Sequence, residues 1–294
     1  MKGRATIVLD IGKTLAKLSL WSAGGAMIER RVRANARVQT GAYVALDAAG
    51  IEAWVAEVLR DFAKLADVGA IVPVGHGAAA AIIRGDRLAC PPLDYEDAMP
   101  AEMRENYEAG RGAFSDTGSP SLPDGLNLGA QIFRLEALDP DLAHGTQILP
   151  WAQYWSWLLS GVAASEVTGL GCHTDLWNPL TGVPSILAQR RGWAERLAPL
   201  HGAGEVLGTL TPAWVARTGL PADTEVHCGL HDSNAALLAA RGFAEIADTE
   251  STVLSTRTWF VAMRSPKDAA SMDISRLDEA RDCLINVDAY GKPI

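Results

Sequence analysis

The chain has 294 residues, of which 48% are hydrophobic and 21% are charged, and its formal net charge is −9 at pH 7. This composition is that of a globular protein and excludes extensive disorder, and the length allows one large domain or two ordinary ones. The acidic balance disfavours a nucleic-acid-binding protein, because phosphate contacts require clustered Lys and Arg side chains.

Membrane and secreted classes are disfavoured as well. No apolar stretch reaches the ~20 residues that a membrane-spanning helix requires. Residues Met1–Arg4 lead into a strand-like segment rather than a signal-peptide core. The cysteines at positions 90, 172, 228 and 283 form no CxxC pair, so they are predicted to be buried, reduced thiols. We therefore expect a cytoplasmic protein that binds neither nucleic acid nor membranes.

The first third of the chain predicts a mixed β-sheet. Ala5–Leu9 is an almost unbroken apolar run, as in strands buried on both faces, and Ala16–Trp21 and Met27–Val32 continue it as a meander. Ile51–Ala66 has the i, i+3, i+4, i+7 apolar spacing of a helix, and Ala70–Val74 then predicts a buried strand. A crossover helix makes this strand parallel to the first. This order of elements predicts an α/β, ribonuclease-H-like fold.

The middle of the chain is less regular. Cys90–Asn127 has no clear periodicity and is predicted to be a long, functional or mobile loop. Helices are predicted at Leu126–Leu138 and Gln147–Leu159, and the aromatic residues of the latter are predicted to be core. Further amphipathic helices are predicted at Trp193–Leu200 and Pro212–Thr218.

Three later segments complete the prediction. Glu166–Trp177 is polar and glycine-containing, and a tight surface loop and a functional loop are equally good interpretations of it. Ala235–Arg241 is predicted to be a short helix with Ser233 and Asn234 as N-caps. Ala247–Ala262 is predicted to be a hairpin.

Two motifs place a carboxylate and a glycine together at the end of an apolar segment. The first is Leu9–Thr14, with Asp10 and Gly12, and the second is Gly229–Ala236, with Asp232. One such carboxylate has little specificity. Two of them, with a phosphate-type turn beside one, predict magnesium binding and a general base, the essential groups of a phosphoryl-transfer site.

These motifs resemble those of the FGGY carbohydrate kinases, sugar kinases of the actin-like ATPase superfamily. The resemblance covers essentially the whole chain, and Gly125–Gln131 and Asn286–Asp288 resemble the branch that includes L-fuculose and L-rhamnulose-type kinases. It implies a mixed sheet flanked by helices, with only the start of a second similar domain. The implied division is a sugar-binding domain at residues 1–242 and the beginning of an ATP-binding domain at residues 243–294.

The resemblance also implies roles for individual residues. Asp10 would hold Mg²⁺, and Asp232 would contact the sugar and accept the proton of its attacked hydroxyl. Contacts to ATP would come from the two phosphate loops, at Gly12, Lys13, Thr14, Thr256 and Thr258. Sugar-binding candidates are His76, Asp94, Glu96, His173 and Asp175.

The chain departs from the family pattern in two ways. The family usually has Ser-Thr-Gly-Thr-Trp in its second phosphate loop, whereas this chain has Ser255-Thr256-Arg257-Thr258-Trp259. The Cβ and bulk of arginine resist the close phosphate approach that glycine permits; the alternative interpretation is that Arg257 supplies a charge to the γ-phosphate. The chain is also expected to end just inside the second domain, which would expose apolar strand edges and favour aggregation or a homodimer.

Three functional interpretations are carried forward. The first is ATP-dependent phosphorylation of a ketose or related polyol, and the second is a non-catalytic sugar-binding remnant of such a kinase. The third, a metal-dependent hydrolase using His231 and Asp232, is disfavoured, because neighbouring ligand residues on a strand point to opposite faces. The same argument disfavours zinc binding by Cys172-His173 or by His227-Cys228 with His231.

Overall fold

The computed structural model describes residues 3–247, 249–256, 260–268, 279 and 284–294. The strands in these residues are β1 Ala5–Ile11, β2 Leu15–Trp21, β3 Met27–Ala34, β4 Arg37–Gln39, β5 Val44–Leu46, β6 Val68–Gly75, β7 Ala80–Arg84, β8 Arg87–Leu88, β9 Gln147–Pro150, β10 Trp177–Asn178, β11 Val183–Pro184, β12 Val206–Thr209, β13 Glu225–His227, β14 Leu230–His231, β15 Ser251–Thr256 and β16 Phe260–Ser265. The helices are α1 Ala48–Phe62, α2 Ala101–Gly110, α3 Phe114–Thr117, α4 Leu128–Leu138, α5 Trp151–Ser160, α6 Val167–Leu170, α7 Ile186–Arg190, α8 Pro212–Thr218 and α9 Asp232–Arg241, with 3₁₀ turns at Pro140–Ala143 and Ala194–Arg196.

The main sheet has the strand order β12-β13-β6-β1-β2-β3, and β14 also pairs with β6. β1 is antiparallel to β2 and parallel to β6, which follows it through α1. The predicted meander with a helical crossover to a parallel strand is therefore confirmed. This arrangement brings the ends of β1, β6 and β14 to one edge of the sheet, because parallel strands end on the same side.

The burial of β1 differs from the prediction. Ile7, Leu9 and Ile11 are fully buried, whereas the residues between them are half-buried, so only one face lies in the core. Helix α1 covers the core with an apolar stripe, as its spacing predicts. It begins at Ala48 rather than at Ile51, because the Asp47 side chain accepts a hydrogen bond from a backbone N–H of the first turn.

Three predicted segments are corrected by the structure. The segment at 90–127 is not an unbroken loop, because it contains α2 and α3. Helix α2 buries only Tyr107 among its ten residues, so it leaves little periodicity in the sequence. Residues Gln147–Pro150 form a strand paired with β7, and α5 begins only after Pro150. The predicted helix at Trp193–Leu200 is reduced to a 3₁₀ turn.

The aromatic residues of α5 are core, as predicted. Trp151, Tyr154, Trp155 and Trp157 are all buried, and their rings contact one another in stacked, edge-to-face and tilted arrangements. The predicted burial of the cysteines is confirmed for Cys172 and Cys228, whereas Cys90 is only partly buried. Cys283 lies outside the described residues.

Helix α5 also anchors the turn that leads into β14. Gln153 Nε2 donates to the carbonyls of Cys228 and Gly229 at 3.1 Å each, and Ser156 Oγ donates to the Cys228 carbonyl at 2.7 Å. Gly229 has φ +76°, and a Cβ at this position would lie 2.0 Å from the Pro73 carbonyl oxygen. Only glycine fits this turn, so the second motif depends on glycine to approach β6.

The helix after the second motif begins earlier than predicted. α9 starts at Asp232, so Ser233 and Asn234 lie in its first turn rather than at the N-cap. Asp232 is therefore placed at a helix N-terminus, where the unpaired backbone N–H groups and the helix dipole favour negative charge.

The last part of the chain forms a hairpin and then returns to α9. The predicted hairpin is confirmed as β15 and β16, and its turn at residues 257–259 lies outside the described residues. Asn234 Nδ2 of α9 donates to the Val287 carbonyl at 2.6 Å, and Arg241 pairs with Asp288 at 3.2 Å. The domain boundary at residue 242 stays a prediction. No helix within the described part of the chain is long and apolar enough to cross a membrane.

Candidate active site

The two motif carboxylates lie at the same edge of the main sheet. Asp10 pairs with Val74 of β6, and Leu230 of β14 pairs with the same Val74 from the other side. Asp232 follows β14 directly. Because neighbouring strands are about 4.8 Å apart, β6 separates two chain segments about 10 Å apart at the backbone, each carrying an aspartate at this edge.

Asp10 has a positively charged neighbour on the adjacent strand. Lys17 of β2 lies opposite it in the register, and Lys17 Nζ is 2.5 Å from Asp10 Oδ2. The Asp10 side chain remains 27% exposed, whereas the Lys17 side chain is only 12% exposed. This part of the site therefore combines an anionic and a cationic group.

The turn after Asp10 is held by hydrogen bonds to Leu15 and Asn35. Gly12 N–H donates to the Leu15 carbonyl at 3.1 Å, and the Gly12 carbonyl accepts from Asn35 Nδ2 at 2.8 Å. The Thr14 carbonyl accepts from Asn35 N–H at 2.9 Å. The turn is therefore rigid, and the predicted phosphate contacts of Gly12 and Thr14 stay predictions.

Lys13 connects this turn to the predicted sugar-binding acids. Its Nζ forms an ion pair with Asp94, lies 3.6 Å from Glu96 Oε2 and lies 4.7 Å from the centre of the Tyr95 ring. Asp94 is fully buried and also pairs with Arg37 at 2.7 Å, whereas Glu96 is about half exposed. The structure thus brings together Lys13, Asp94 and Glu96, and Lys13 points toward the acids rather than into open solvent.

His76 follows β6 at the same edge of the sheet. Its ring is buried, lies 6.0 Å from Tyr95 and 6.2 Å from Trp151 between ring centroids, and neither ring nitrogen has a hydrogen-bond partner among the described residues. Burial lowers the pKa of His76 to about 4, and the Asp232 carboxylate only partly offsets this effect. A neutral imidazole offers one donor and one acceptor. Buried polar atoms of this kind are normally paired, whereas both His76 nitrogens lack a partner among the described residues, and the predicted sugar contact of His76 stays a prediction.

The segment Glu166–Trp177 packs against His231 of the second motif. It is largely buried, so its interpretation as a surface loop is wrong. Cys172 Sγ lies 3.9 Å from His231 Nε2, and a Cβ on Gly77 would lie 2.9 Å from the same nitrogen. The close approach of these residues therefore depends on Gly77 having no side chain.

His173 and Asp175 are fixed within this segment rather than aimed at open space. His173 Nδ1 contacts the Leu126 carbonyl at 2.8 Å. Asp175 is buried, and its Oδ2 accepts from Tyr107 Oη at 2.5 Å and from Arg111 Nε at 3.0 Å. Burial raises the pKa of Asp175, and the Arg111 guanidinium counteracts this effect. These contacts give both residues a structural role, and their predicted sugar contacts stay predictions.

The second phosphate loop is described only in part. Thr256 is exposed at the end of β15, and Thr258 lies outside the described residues. The described residues contain no group of three or more His, Cys, Asp or Glu side chains arranged to hold a metal ion. They therefore give no support to the hydrolase interpretation or to a zinc site.

Sequence reasoning missed two residues of this site. Lys17 could have been found from the alternation of β2, which places it on the same face as the residue opposite it. Asn234 was interpreted as a helix cap, but its Oδ1 lies 2.7 Å from His231 Nδ1. That contact has no signal in the sequence beyond the i, i+3 spacing of the two residues.

Comparison with known proteins identifies a matching family model and similar structures. The model of the carbohydrate kinase FGGY C-terminal domain matches residues 248–294. A carbohydrate kinase from Novosphingobium aromaticivorans is 53% identical, with a TM-score of 0.95, and the match covers 100% of this chain and 62% of that protein. The chain thus spans less than two thirds of this relative. No curated protein matches the sequence.

More distant structures share the fold. The xylulose kinase from Lactobacillus acidophilus is 16% identical over 81% of this chain and 49% of its own, with a TM-score of 0.69. The glycerol kinase from Plasmodium falciparum is 11% identical over 79% of this chain and 50% of its own, with a TM-score of 0.66. The mixed sheet and these neighbours together show the ribonuclease-H-like, actin-like ATPase fold. The chain belongs to the FGGY carbohydrate kinase family.

Proposed function

We propose that this chain carries the sugar site and the general base of an ATP-dependent carbohydrate kinase that phosphorylates a hydroxyl of a ketose or related polyol. The observation that carries the proposal is the placement of Asp10 and Asp232 on either side of the end of β6, next to the unpaired imidazole of His76. Phosphoryl transfer to an alcohol requires a base, a group that holds the metal ion near the phosphates and groups that position the hydroxyl. Asp232, Asp10 and His76 would supply these three functions.

Each group has a distinct task in this reaction. Asp232 takes the proton of the sugar hydroxyl as the hydroxyl oxygen bonds to the γ-phosphorus and ADP leaves. His76 orients the sugar through a hydroxyl, since its nitrogens have no other partner in the described chain. Asp94 and Glu96 would contact other hydroxyls of the sugar, and their ion pairs with Lys13 limit their freedom. Phosphoryl transfer needs mainly positioning and charge neutralisation, so such fixed groups suit it.

Asp10 fits the requirement for magnesium. Mg²⁺ is usually held by one or two carboxylates together with substrate phosphates and water, so a cage of protein ligands is not needed. Asp10 is partly exposed and has an oxygen, Oδ1, that is not engaged by Lys17. When bound, Mg²⁺ would neutralise phosphate charge, and ATP would lie on the Gly12–Thr14 side of the site. The cytoplasmic location and the L-fuculose or L-rhamnulose branch also remain proposals.

A second candidate function is sugar binding without phosphoryl transfer. Arg257 favours it, because it replaces the glycine of the family's second phosphate loop. The two functions differ in ligand-induced stability, since any ligand that binds the native state raises the melting temperature. Sugar alone would stabilise a remnant, whereas both sugar and Mg²⁺–ATP would stabilise a kinase.

The decisive experiment is coupled ADP release from the 294-residue chain with Mg²⁺–ATP and a panel of ketoses, sugar alcohols and aldoses. Sugar-dependent ADP release supports the kinase and identifies its substrate class. No release with any sugar, while a sugar still binds by calorimetry, overturns the kinase and supports the remnant. Asp223→Asn is a matched control for changes at Asp232, because Asp223 pairs with Arg4 at the opposite edge of the sheet.

We also propose that the chain self-associates through its hairpin. Leu254 and Phe260 on β15 and β16 are 60% and 79% exposed, which is a large apolar exposure for a two-stranded sheet. Sedimentation of the chain and of Phe260→Ser tests this. A monomer in both cases contradicts it.

A further inference from the structure

The imidazole of His231 is the side chain that contacts the proposed base most directly. His231 Nε2 lies 3.2 Å from Asp232 Oδ1, and the Ser233 hydroxyl donates to the same oxygen at 3.4 Å. Among the described residues, these side-chain contacts of Asp232 both fall on Oδ1. The other oxygen, Oδ2, is therefore left for a ligand.

The opposite side of the imidazole is held by Asn234. Asn234 is 1% exposed, and its Nδ2 donates to the Val287 carbonyl at 2.6 Å. A carbonyl only accepts hydrogen bonds, so this contact fixes which end of the amide carries the nitrogen. Asn234 Oδ1 must then face His231 Nδ1, at 2.7 Å, and Asn286 Nδ2 contacts the same Oδ1 at 3.3 Å.

The protonation state of His231 follows from these contacts. Nδ1 faces an amide oxygen, so Nδ1 must carry a hydrogen. Nε2 faces a carboxylate oxygen, and a hydrogen on Nε2 converts a repulsion into a charge-assisted hydrogen bond. An imidazole with hydrogens on both nitrogens is a cation.

The surroundings favour this cation. Burial by itself would lower the pKa of His231, but the Cys172 sulfur and the Asp232 carboxylate raise it. Burial would likewise raise the pKa of the Cys172 thiol, but His173 and His231 lower it. The titratable groups around the ring are Cys172, His173 and Glu166 from the segment before β10, His76 from the end of β6, and Asp232 from α9. The two acids closest to the ring, Cys172 and Asp232, both favour the charged form.

We propose that His231 is a positioning residue for Asp232: its imidazolium, clamped by Asn234 against the Val287 carbonyl, holds Oδ1 so that Oδ2 faces the sugar hydroxyl. A cation beside a base reduces its basicity. This cost is small in phosphoryl transfer, because the loose transition state needs an oriented nucleophile more than a strong base. The clamp also connects the base to the segment 284–294, so the position of that segment controls the geometry of Asp232.

The first test measures the imidazolium directly and needs no turnover. In the ¹⁵N-histidine NMR spectrum of the 294-residue chain at pH 8, both His231 ring nitrogens should be protonated, with His231→Gln providing the assignment. Asn234→Asp keeps an acceptor for Nδ1 but cannot donate to the Val287 carbonyl, so it should preserve the imidazolium without the contact to Val287, whereas Asn234→Ala should lose both. A neutral His231 in the unmodified chain at pH 8 overturns the proposal. Circular dichroism confirms that each variant is folded.

The second test rests on the proposed kinase function. His231→Gln and Asn234→Ala should each lower kcat about 10- to 100-fold, while the sugar KM stays within about threefold, because orientation of the base is lost and sugar binding is not. Asn234→Asp keeps the acceptor for Nδ1 but loses the donor to the Val287 carbonyl, so its kcat should lie between those of Asn234→Ala and the unmodified chain. Unchanged kcat in both damaging variants overturns the proposal. If the unmodified chain releases no ADP, the proposed kinase function fails, and the NMR result alone decides whether the clamp exists.

Discussion

Lys17 Nζ and Asp10 Oδ2 lie 2.5 Å apart, and the two residues face each other in the register of β1 and β2. The pair lies on the partly exposed face of the two strands, opposite the face that builds the core. Its position is therefore fixed by backbone hydrogen bonds rather than by flexible loops. A fixed pair loses less side-chain entropy on forming than a pair between mobile side chains.

The first prediction concerns the strength of this pair. In a double-mutant cycle of Asp10→Asn and Lys17→Met, we expect a coupling energy of about 1 kcal/mol, measured by urea unfolding of the four proteins. The Asp61–Lys64 pair is the control, because its contact is 2.9 Å but its side chains are 57% and 67% exposed. Its coupling energy should be clearly smaller, because solvent screens an exposed pair. Equal coupling energies in the two cycles would show that the position of Asp10 and Lys17 on paired strands does not strengthen their ion pair.

The second prediction concerns Asp232 as the base. Asp232→Asn keeps the size of the side chain but cannot accept the hydroxyl proton, so kcat should fall at least about 100-fold. Sugar affinity, measured by calorimetry, should stay within a few-fold, because the amide can still hydrogen-bond to a hydroxyl. Asp223→Asn, at the other edge of the sheet, should leave turnover unchanged. Retained turnover in Asp232→Asn would refute the assignment.

The sequence predicted the sheet well and the site in part. β1, β2 and α1 have clear periodicity because each buries one face, β6 is a short apolar run, and the order of these elements determined the fold. Helix α2 escaped prediction, since an exposed helix has no apolar stripe. The two local motifs identified Asp10 and Asp232 as candidates, and the family resemblance added His76.

Contacts between distant segments could not be predicted in the same way. Cys172 and His231 are 59 positions apart, and their approach depends on the missing side chain of Gly77. Likewise, Asn234 is engaged by Val287, which is 53 positions away. Tertiary packing determines such contacts, and they cannot be predicted from the periodicity or the turn residues of the sequence.

The third prediction tests the buried acid of the Lys13 cluster. Asp94 is fully buried between Lys13 and Arg37, so Asp94→Asn leaves two cations without their central partner. We expect a loss of about 3 kcal/mol in the free energy of unfolding. Glu96→Gln is the matched control, because the Glu96 side chain is 47% exposed, and its loss should be below about 0.5 kcal/mol. Urea unfolding measures both, and a small loss in Asp94→Asn would contradict the central role of this acid.

The fourth prediction concerns the turn before β14. Gly229→Ala places a Cβ 2.0 Å from the Pro73 carbonyl oxygen and strains a backbone with φ +76°, so we expect a loss of about 3 kcal/mol or more. Gly204→Ala is the control, because no atom lies within 4 Å of its added Cβ. Thermal unfolding distinguishes the two variants. If Gly229→Ala and the unmodified chain have the same melting temperature, the close contact between residue 229 and β6 is not required for stability.

The last prediction is a pH dependence of stability that arises from His76. Its pKa falls from 6.5 to about 4 on folding, mainly through burial. Between these two values the unfolded chain binds a proton at His76 and the folded chain does not, so stability decreases as the pH falls through this window. With about 1.4 kcal/mol for each pKa unit, the loss from pH 7 to pH 4 amounts to about 3 kcal/mol. His76→Gln does not titrate, so its unfolding free energy should fall less over the same range by about this amount. Parallel curves for the two proteins, measured by urea unfolding, would show that the His76 ring is hydrated in solution, and sugar binding to its nitrogens would then have to displace water rather than fill a dry position.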